Sequence, residues 1–320
     1  MKLAQVVEDY VDLKRSIGFH FRNSGNILKA FAREAGSIDV HDVSQQVVTA
    51  FVRGSCQRMR PSSQTKHYAL VGLFRFALQR GLLSTSPLQY FVPKWPEYAK
   101  PYIYSTDELE RILGGSKILD ARNRRSGQAA SIPPLTFRTL VLVLYGAGLR
   151  LSEALALTVD DVDLSARTLV VRNTKFFKTR LLPIGPKLSS TLGLYAENRL
   201  ALLNRSPSAN TFFLRRQGTA IPGQVAERYF RMVRSHLGMR REDGAYFQQR
   251  LHDLRRSFAV HRLVAWYRQG ADVQLLLPTL STYLGHIGLA ETQHYLTMTP
   301  DLLREAGRRF EDYAIPEARP

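Results

Sequence analysis

Apolar residues recur at three- and four-residue intervals along Leu3 to Leu13, Ile27 to Phe31 and Val47 to Val52, a period that predicts short helices joined by polar turns. The first ninety or so residues carry no alternating pattern of the kind a strand would need. A longer run of the helical period spans about Ser63 to Arg80, with Tyr68, Leu70, Val71, Phe74, Phe76 and Leu78 assigned to the core and Lys66, Arg75 and Arg80 left outside. From Ser84 to Pro101 the chain holds four prolines and two serines, a composition that breaks helices and suits a linker. After it, Ser105-Thr106-Asp107-Glu108 precedes an apolar-periodic run and marks a helix start. Leu135 to Tyr145 is apolar on nearly every side, which predicts a central buried helix. Thr168 to Arg172 and Arg180 to Ile184 are β-branched and apolar segments around a polar, aromatic turn, the pattern of a hairpin. Further helices are expected at about 187–203, 223–237, 252–267, 272–284 and 289–296, and residues 114–133, rich in Gly, Ser and Arg, read as a flexible insertion. The fold class is therefore mainly α, with one small antiparallel β element. Its expected organisation is a helical domain at 1–95, a linker at 96–104 and a larger, mostly helical domain at 105–320.

Composition narrows the partners. The 320 residues are 44% hydrophobic, enough to fill a core in each domain, so disorder is not the expectation. Lys and Arg number 45 against 27 Asp and Glu, a formal charge of +18, which is the footprint of a protein that binds a polyanion. Residues 1–100 hold 14 basic against 7 acidic residues and the remainder 31 against 20, so both parts are expected to touch nucleic acid. No membrane partner is expected. The longest apolar run, Leu140 to Leu149, is short, contains glycines and stops at Arg150, while Glu8, Asp9 and Asp12 stand where a signal peptide would need an apolar stretch. The expected location is the prokaryotic cytoplasm, with the nucleoid. Cys56 is the only cysteine, which excludes an intrachain disulfide and a cysteine-built zinc cluster.

The candidate chemistry is a series of basic residues that ends in one tyrosine: Arg150, Lys175, His252, Arg255, His286 and Tyr295. A phosphodiester under attack builds charge on two non-bridging oxygens, and the planar fork of arginine can pair with such oxygens bidentately. Arg150 follows Gly146-Ala147-Gly148, a break after the buried helix, and precedes Ser152, a candidate N-cap, so it is expected at a helix start. Glu153 is then close enough to orient its guanidinium. His252 and Arg255, three apart on a helix, share a face. The His252-Asp253 pair would also suit a metal-dependent phosphohydrolase, but no companion ligands stand at convincing spacing, and neither metal nor other cofactor is expected. Lys175 and Lys178, both at the hairpin tip, compete as proton donor to a leaving oxygen. Tyr295 can attack phosphorus if cations surround it, whereas Tyr283 belongs to a phrase, Ser281-Thr-Tyr-Leu-Gly285, where burial is expected. Each of these residues also has a bland reading as a solvated charge, a cap or a core aromatic.

Taken together, the phrases Gly146-Ala-Gly-Leu-Arg150-Leu-Ser-Glu153, Lys178-Thr-Arg180-Leu-Leu-Pro183, His252-Asp-Leu-Arg255 and Leu284-Gly-His286, with Tyr295 nine residues on, resemble the tyrosine recombinase (phage integrase) family over most of the chain. The resemblance implies an N-terminal core-binding domain and a catalytic domain that close as a clamp on duplex DNA carrying specific recombination sites. It implies a Tyr295 nucleophile forming a 3′-phosphotyrosyl link, with Arg150, Arg255 and His286 stabilising the phosphorane, Lys175 protonating the leaving oxygen and His252 assisting proton transfer at the tyrosine. It also implies a tetramer on DNA, joined through a C-terminal segment such as Leu302 to Phe310, possible sister recombinases or DNA-bending accessory proteins, and a part in integration or transposition of a mobile element. Lys66, Arg75, Arg80, Lys178, Arg180 and Arg256 are the expected DNA contacts. Phe176-Phe177 at the hairpin tip departs from the Gly and polar residues of many relatives. The rival functions are a type IB topoisomerase-like nicking and closing enzyme, and a DNA-binding accessory protein without turnover.

Overall fold

A computed structural model describes residues 1–54, 61–88, 102–125, 131–172, 179–203, 210–243, 247–286, 288–297, 304–305 and 307–308. The chain divides into two compact units, the first reaching Tyr98 and the second beginning at Ala99. In the first, α1 (Leu3–Ser16), α2 (Arg22–Ala35), α3 (Gln45–Arg53) and α4 (Pro61–Gln79) enclose an apolar core. Phe31 lies at its centre, with ring centroids 5.0 Å from Phe51 and 6.2 Å from Phe74. Ser44 caps α3 by accepting the Val47 N–H. Two assignments on α4 need correction. Tyr68 is 60% exposed, because the buried stripe is carried by Ala69, Leu70, Leu73, Phe74, Phe76 and Ala77 instead. Lys66 is not left outside: its ammonium donates to Phe51 O at 2.8 Å and lies over the Phe51 ring at 4.2 Å, since a lysine stem can bury itself on an apolar surface when its head finds a carbonyl.

In the second unit, α5 (Thr106–Arg125) opens with a capping box in which Ser105 and Glu108 exchange backbone and side-chain bonds. Over residues 114–125 the expected flexible insertion is overturned, because α5 continues through Gly114 and Gly115 to Arg125, while 126–130 of that stretch lie outside the described residues. Gly115 is there for close approach: a Cβ would come within 2.9 Å of the Leu237 side chain, so the absence of a side chain lets α5 pack on the chain following α9. The largely apolar α6 (Pro134–Gly146) runs through the core, with Phe137, Leu140, Val141, Val143 and Leu144 buried and Arg138 exposed.

Short α7 (Leu151–Ala156) leads to a three-stranded antiparallel sheet in the order β1 (Val162–Asp163), β2 (Thr168–Val171), β3 (Arg180–Pro183). The register pairs Val171 with Arg180 and Leu169 with Leu182. This register sends Leu169, Val171 and Leu182 into the core, and it places Arg180 at the start of β3. Helices α8 (Pro186–Leu203), α9 (Gly223–His236), α10 (Leu251–Arg268), α11 (Val273–Leu284) and α12 (Leu289–Gln293) follow, and a short 3₁₀ turn, His294–Thr297, carries Tyr295. Of the expected segment Leu302 to Phe310, only 304–305 and 307–308 lie within the described residues, where Glu305 accepts from Arg268 Nε at 3.0 Å. No described helix is long and apolar enough to cross a membrane.

Candidate active site

The site begins where α6 stops. Gly148 has φ +61, and a Cβ on it would come within 2.6 Å of the Phe258 ring, so only glycine fits the break. The break delivers Arg150 in extended conformation (φ −69, ψ 149) to the cap position of α7. Ser152, expected as the cap, lies instead inside the helix. The reason is Glu153: its Oε2 accepts the Arg150 backbone N–H at 3.0 Å, which is the part of a capping box that a carboxylate can supply from the third position.

Glu153 is also the hub of three guanidinium groups. Arg150 donates to its Oε1 at 2.8 Å, and Arg180 forks across both oxygens, at 3.1 Å to Oε1 and 2.8 Å to Oε2. Arg255 brings Nη1 to 3.9 Å from Oε2. Burial alone would raise the Glu153 carboxyl, but the hydrogen bonds and charge of Arg180, followed by those of Arg150, outweigh it and hold the group at about 2. Arg180 was expected to face DNA. It is turned inward, with its side chain 12% exposed, because the Val171–Arg180 register starts β3 beside this carboxylate.

Arg255, on the first turns of α10, is 1% exposed. Nη1 donates to Gly148 O and Nη2 to Leu284 O, each at 2.7 Å, so one guanidinium joins the break after α6 to the end of α11. Burial, then the neighbouring Arg150 charge, lowers it to about 10, which still leaves it charged at neutral pH.

His286 is set by the end of α11. Gly285 adopts a left-handed conformation (φ 68, ψ 44), its N–H bonds Thr282 O, and the His286 N–H bonds Ser281 O, which together form a Schellman motif. The imidazole Nδ1 lies 2.7 Å from Thr292 Oγ1 and the ring centroid is 5.9 Å from that of Tyr295. Burial, then the charges of Arg255 and Arg150, pushes His286 down to about 4, so the ring is neutral at pH 7. His252, one turn before Arg255, is open to solvent on one side and crowded on the other; this crowding and the charges of Arg256 and Arg255 push it to about 4 as well. Tyr295 itself is 6% exposed and packs with the apolar cluster of α10 and α11. Tyr283, the rival, stacks on Phe258 at 5.7 Å and donates its hydroxyl to Pro183 O at 3.2 Å.

The fold thus gathers Arg150, Glu153, Arg255, His286 and Tyr295 from four segments, with His252 on the same helix as Arg255. Lys175 and Lys178 lie outside the described residues. Arg75 and Arg80 are exposed on α4, and Arg80 lies over the Phe76 ring at 5.3 Å. Arg256 is half-buried and donates to Asp253 Oδ1 at 3.0 Å. The sequence reading missed Thr292 as the partner of His286 and Arg180 as the partner of Glu153. Their spacing holds no local signal, because both contacts join separate elements.

Residues 107–301 match the model of the phage integrase family. The y4rB protein of Sinorhizobium fredii, named as an integrase/recombinase, is 32% identical over 96% of this chain and 96% of its own length. Tyrosine recombinase XerD of Mycobacterium leprae is 29% identical, with 93% of this chain and 92% of its own length covered. Among solved structures, the Tn1549 transposon integrase in complex with transposon right end DNA aligns with a TM-score of 0.67 and 15% identity, covering 98% of this chain and 100% of that one. A lambda integrase dimer bound to a core site aligns with a TM-score of 0.64 and 16% identity, over 94% of this chain and 97% of that one, and both likenesses show the fold.

Proposed function

Since the chain belongs to the phage integrase family and is a tyrosine-type site-specific recombinase, we propose that it cuts and rejoins duplex DNA at specific sites through Tyr295, in the integration or transposition of a mobile element. The single observation that carries the assignment of residues is that Arg150 and Arg255 both bond the end of α11, at Gly285 O and Leu284 O, next to His286, whose ring centroid is 5.9 Å from that of Tyr295. Attack by the Tyr295 phenolate on phosphorus forms the phosphotyrosyl ester and expels a 5′-hydroxyl. Arg150 and Arg255 meet the charge that grows on the non-bridging oxygens, His286 donates to one of them, and Lys175 supplies the proton to the leaving oxygen. His252, neutral at pH 7, takes part in the proton transfer at the phenol. The number of phosphoester bonds is unchanged, so strand exchange needs no external energy source. In this reading the first unit is the core-binding domain, both units contact the duplex, and four copies assemble on two sites.

The Tn1549 and lambda structures, described as complexes with DNA, support DNA as the partner by likeness of fold. The test is a nicked suicide duplex in excess chelator. Wild-type protein is expected to form a protein–DNA adduct that survives denaturing electrophoresis, and Tyr295→Phe to bind the duplex within about threefold of wild type while forming none. An adduct in Tyr295→Phe, or an activity that needs added magnesium, defeats the assignment.

A further inference from the structure

The proposed chemistry leaves Arg180 without a task, yet its guanidinium is held at all three nitrogens. Nε donates to Tyr283 O at 3.1 Å, Nη1 to Glu153 Oε1 at 3.1 Å and Nη2 to Glu153 Oε2 at 2.8 Å, so three of the five guanidinium donors are fixed. The slot it occupies is opened by Gly285, whose left-handed backbone has no Cβ; one there would come within 2.7 Å of Arg180 Nη1 and 2.9 Å of Cζ. Arg180 therefore touches the carboxylate that orients Arg150 and also the last turn of α11, from which His286 projects.

The carboxylate decides what the other guanidiniums can do. Arg150 gives one Nη1 bond to Glu153 and one Nη2 bond to Gly285 O at 3.1 Å, and Arg255 gives its two to carbonyls. Each has N–H donors beyond these bonds. Were Glu153 not already forked by Arg180, its two oxygens would draw in Arg150 and Arg255, the nearest remaining cations, and each bond so made would be one lost to a phosphodiester.

We propose that Arg180 is a positioning residue for cleavage: it occupies both oxygens of Glu153 so that Arg150 and Arg255 keep donors for the scissile phosphate, and it ties β3 to the turn that presents His286. The proposal rests on the recombinase reading of the site and assigns Arg180 no contact with DNA.

Three measurements test it. Arg180→Gln is expected to slow single-turnover adduct formation at saturating DNA by roughly 10²-fold, the scale of a small misplacement of reacting groups, with duplex affinity and its salt slope unchanged. Arg180→Lys, which keeps the charge and loses the fork, should fall between. The double variant Arg180→Gln, Glu153→Gln should be no slower than Arg180→Gln alone, because the carboxylate that would capture Arg150 has gone. Wild-type cleavage rate in Arg180→Gln overturns the proposal. So does a salt slope reduced by about 0.9, the mark of a lost phosphate contact, or an additive loss in the double variant. A readout without DNA separates this outcome from failure of the recombinase reading: the Arg180 charge is among those that lower His286, so the His286 titration, followed by NMR in the free protein, should move upward in Arg180→Gln and Arg180→Lys should stay near wild type. An unmoved His286 in Arg180→Gln sinks the proposal whether or not the wild type forms an adduct.

Discussion

Two buried carboxylates in the second unit hold arginines in the same three-residue frame and to different ends. Asp253, fully buried on the first turn of α10, accepts the Arg250 N–H at 2.9 Å and the Arg256 guanidinium at 3.0 Å, and its backbone oxygen takes the Ser257 hydroxyl at 2.9 Å. Every one of these partners lies within four residues of it. Glu153 begins in the same way, with the Arg150 N–H and side chain, and then adds Arg180 from 27 residues on and Arg255 from another helix. The first arrangement caps the start of a helix. The second concentrates three positive groups around one negative group beside Tyr295 and leaves a surplus of charge for an anion.

Removing each carboxylate should separate the two most widely. Glu153→Gln leaves three guanidiniums facing one another with no counter-charge, and breaking a buried pair in this way costs about 3–5 kcal/mol. The expected result is a clear fall in the denaturant midpoint together with adduct formation slowed by roughly 10²-fold, because Arg150 loses the partner that fixes it. Asp253→Asn keeps one capping oxygen and turns an amide N–H toward the Arg256 guanidinium in place of an acceptor, so it loses that bond as well as the ion pairing, a loss of about 1–3 kcal/mol. Its adduct rate should remain within a few-fold of wild type. Equal losses of rate in the two variants would show that Glu153 is a cap like Asp253 and nothing more.

The same contrast explains what the sequence could reveal. Arg150 with Glu153 and His252 with Arg255 are near in sequence, and the helical period places each pair on one face. The hairpin and α6 were equally legible, since β-branched, apolar runs on either side of a turn and a nearly all-round apolar run are local patterns; β2, β3 and α6 formed where those patterns stood. Gly115 misled because a glycine chosen for contact with Leu237 looks in sequence like a helix breaker. Ser152 misled because serine is the commoner cap, and only the fold shows Glu153 accepting from Arg150 N. Tyr68 was assigned to the core on its apolar ring, although Ala69 and Leu73 carry the buried stripe. Arg180 was the largest omission: a basic residue on a strand start reads as a DNA contact, and its true neighbours are fixed by a sheet register and a helix end that have no trace in its own neighbourhood.

Acid should dismantle the Glu153 cluster in two stages. Folded His252 and His286 titrate near 4 rather than the ordinary 6.5, so between those values the unfolded chain binds protons that the folded one does not. Stability that is complete above pH 6.5 is therefore lost progressively as the pH falls to about 4. Glu153, held at about 2 against an ordinary 4.5, contributes stability above 4.5 that is lost as the pH falls toward 2. NMR titration of the free protein is expected to give midpoints near 4 for both imidazoles. A midpoint near 6.5 for His286 would mean that neither burial nor the guanidinium charges act on it as the geometry requires. Addition of a duplex should raise the His286 midpoint, since a phosphate partly cancels the charge of Arg255 and Arg150 beside the ring.

The smallest effect sits on the Asp253 side of the comparison. Arg256 gives Nη1 to Asp253 Oδ1, is partly exposed, and is the strongest of the charges that lower His252, so it acts on both the cap and that ring. A partly exposed pair of this kind contributes little, and Arg256→Gln should change stability by no more than about 0.5 kcal/mol. With one donor on Asp253 and its side chain still partly exposed, Arg256 has donors left for a duplex, which predicts one phosphate contact. The logarithmic dependence of duplex affinity on salt should then lose about 0.9 from its slope, and the His252 midpoint should rise in the free protein as a neighbouring positive charge disappears. If the slope is unchanged while the midpoint still rises, Arg256 belongs to the helix cap alone, and the line between the two carboxylate clusters is sharper than the proposed DNA contact would make it.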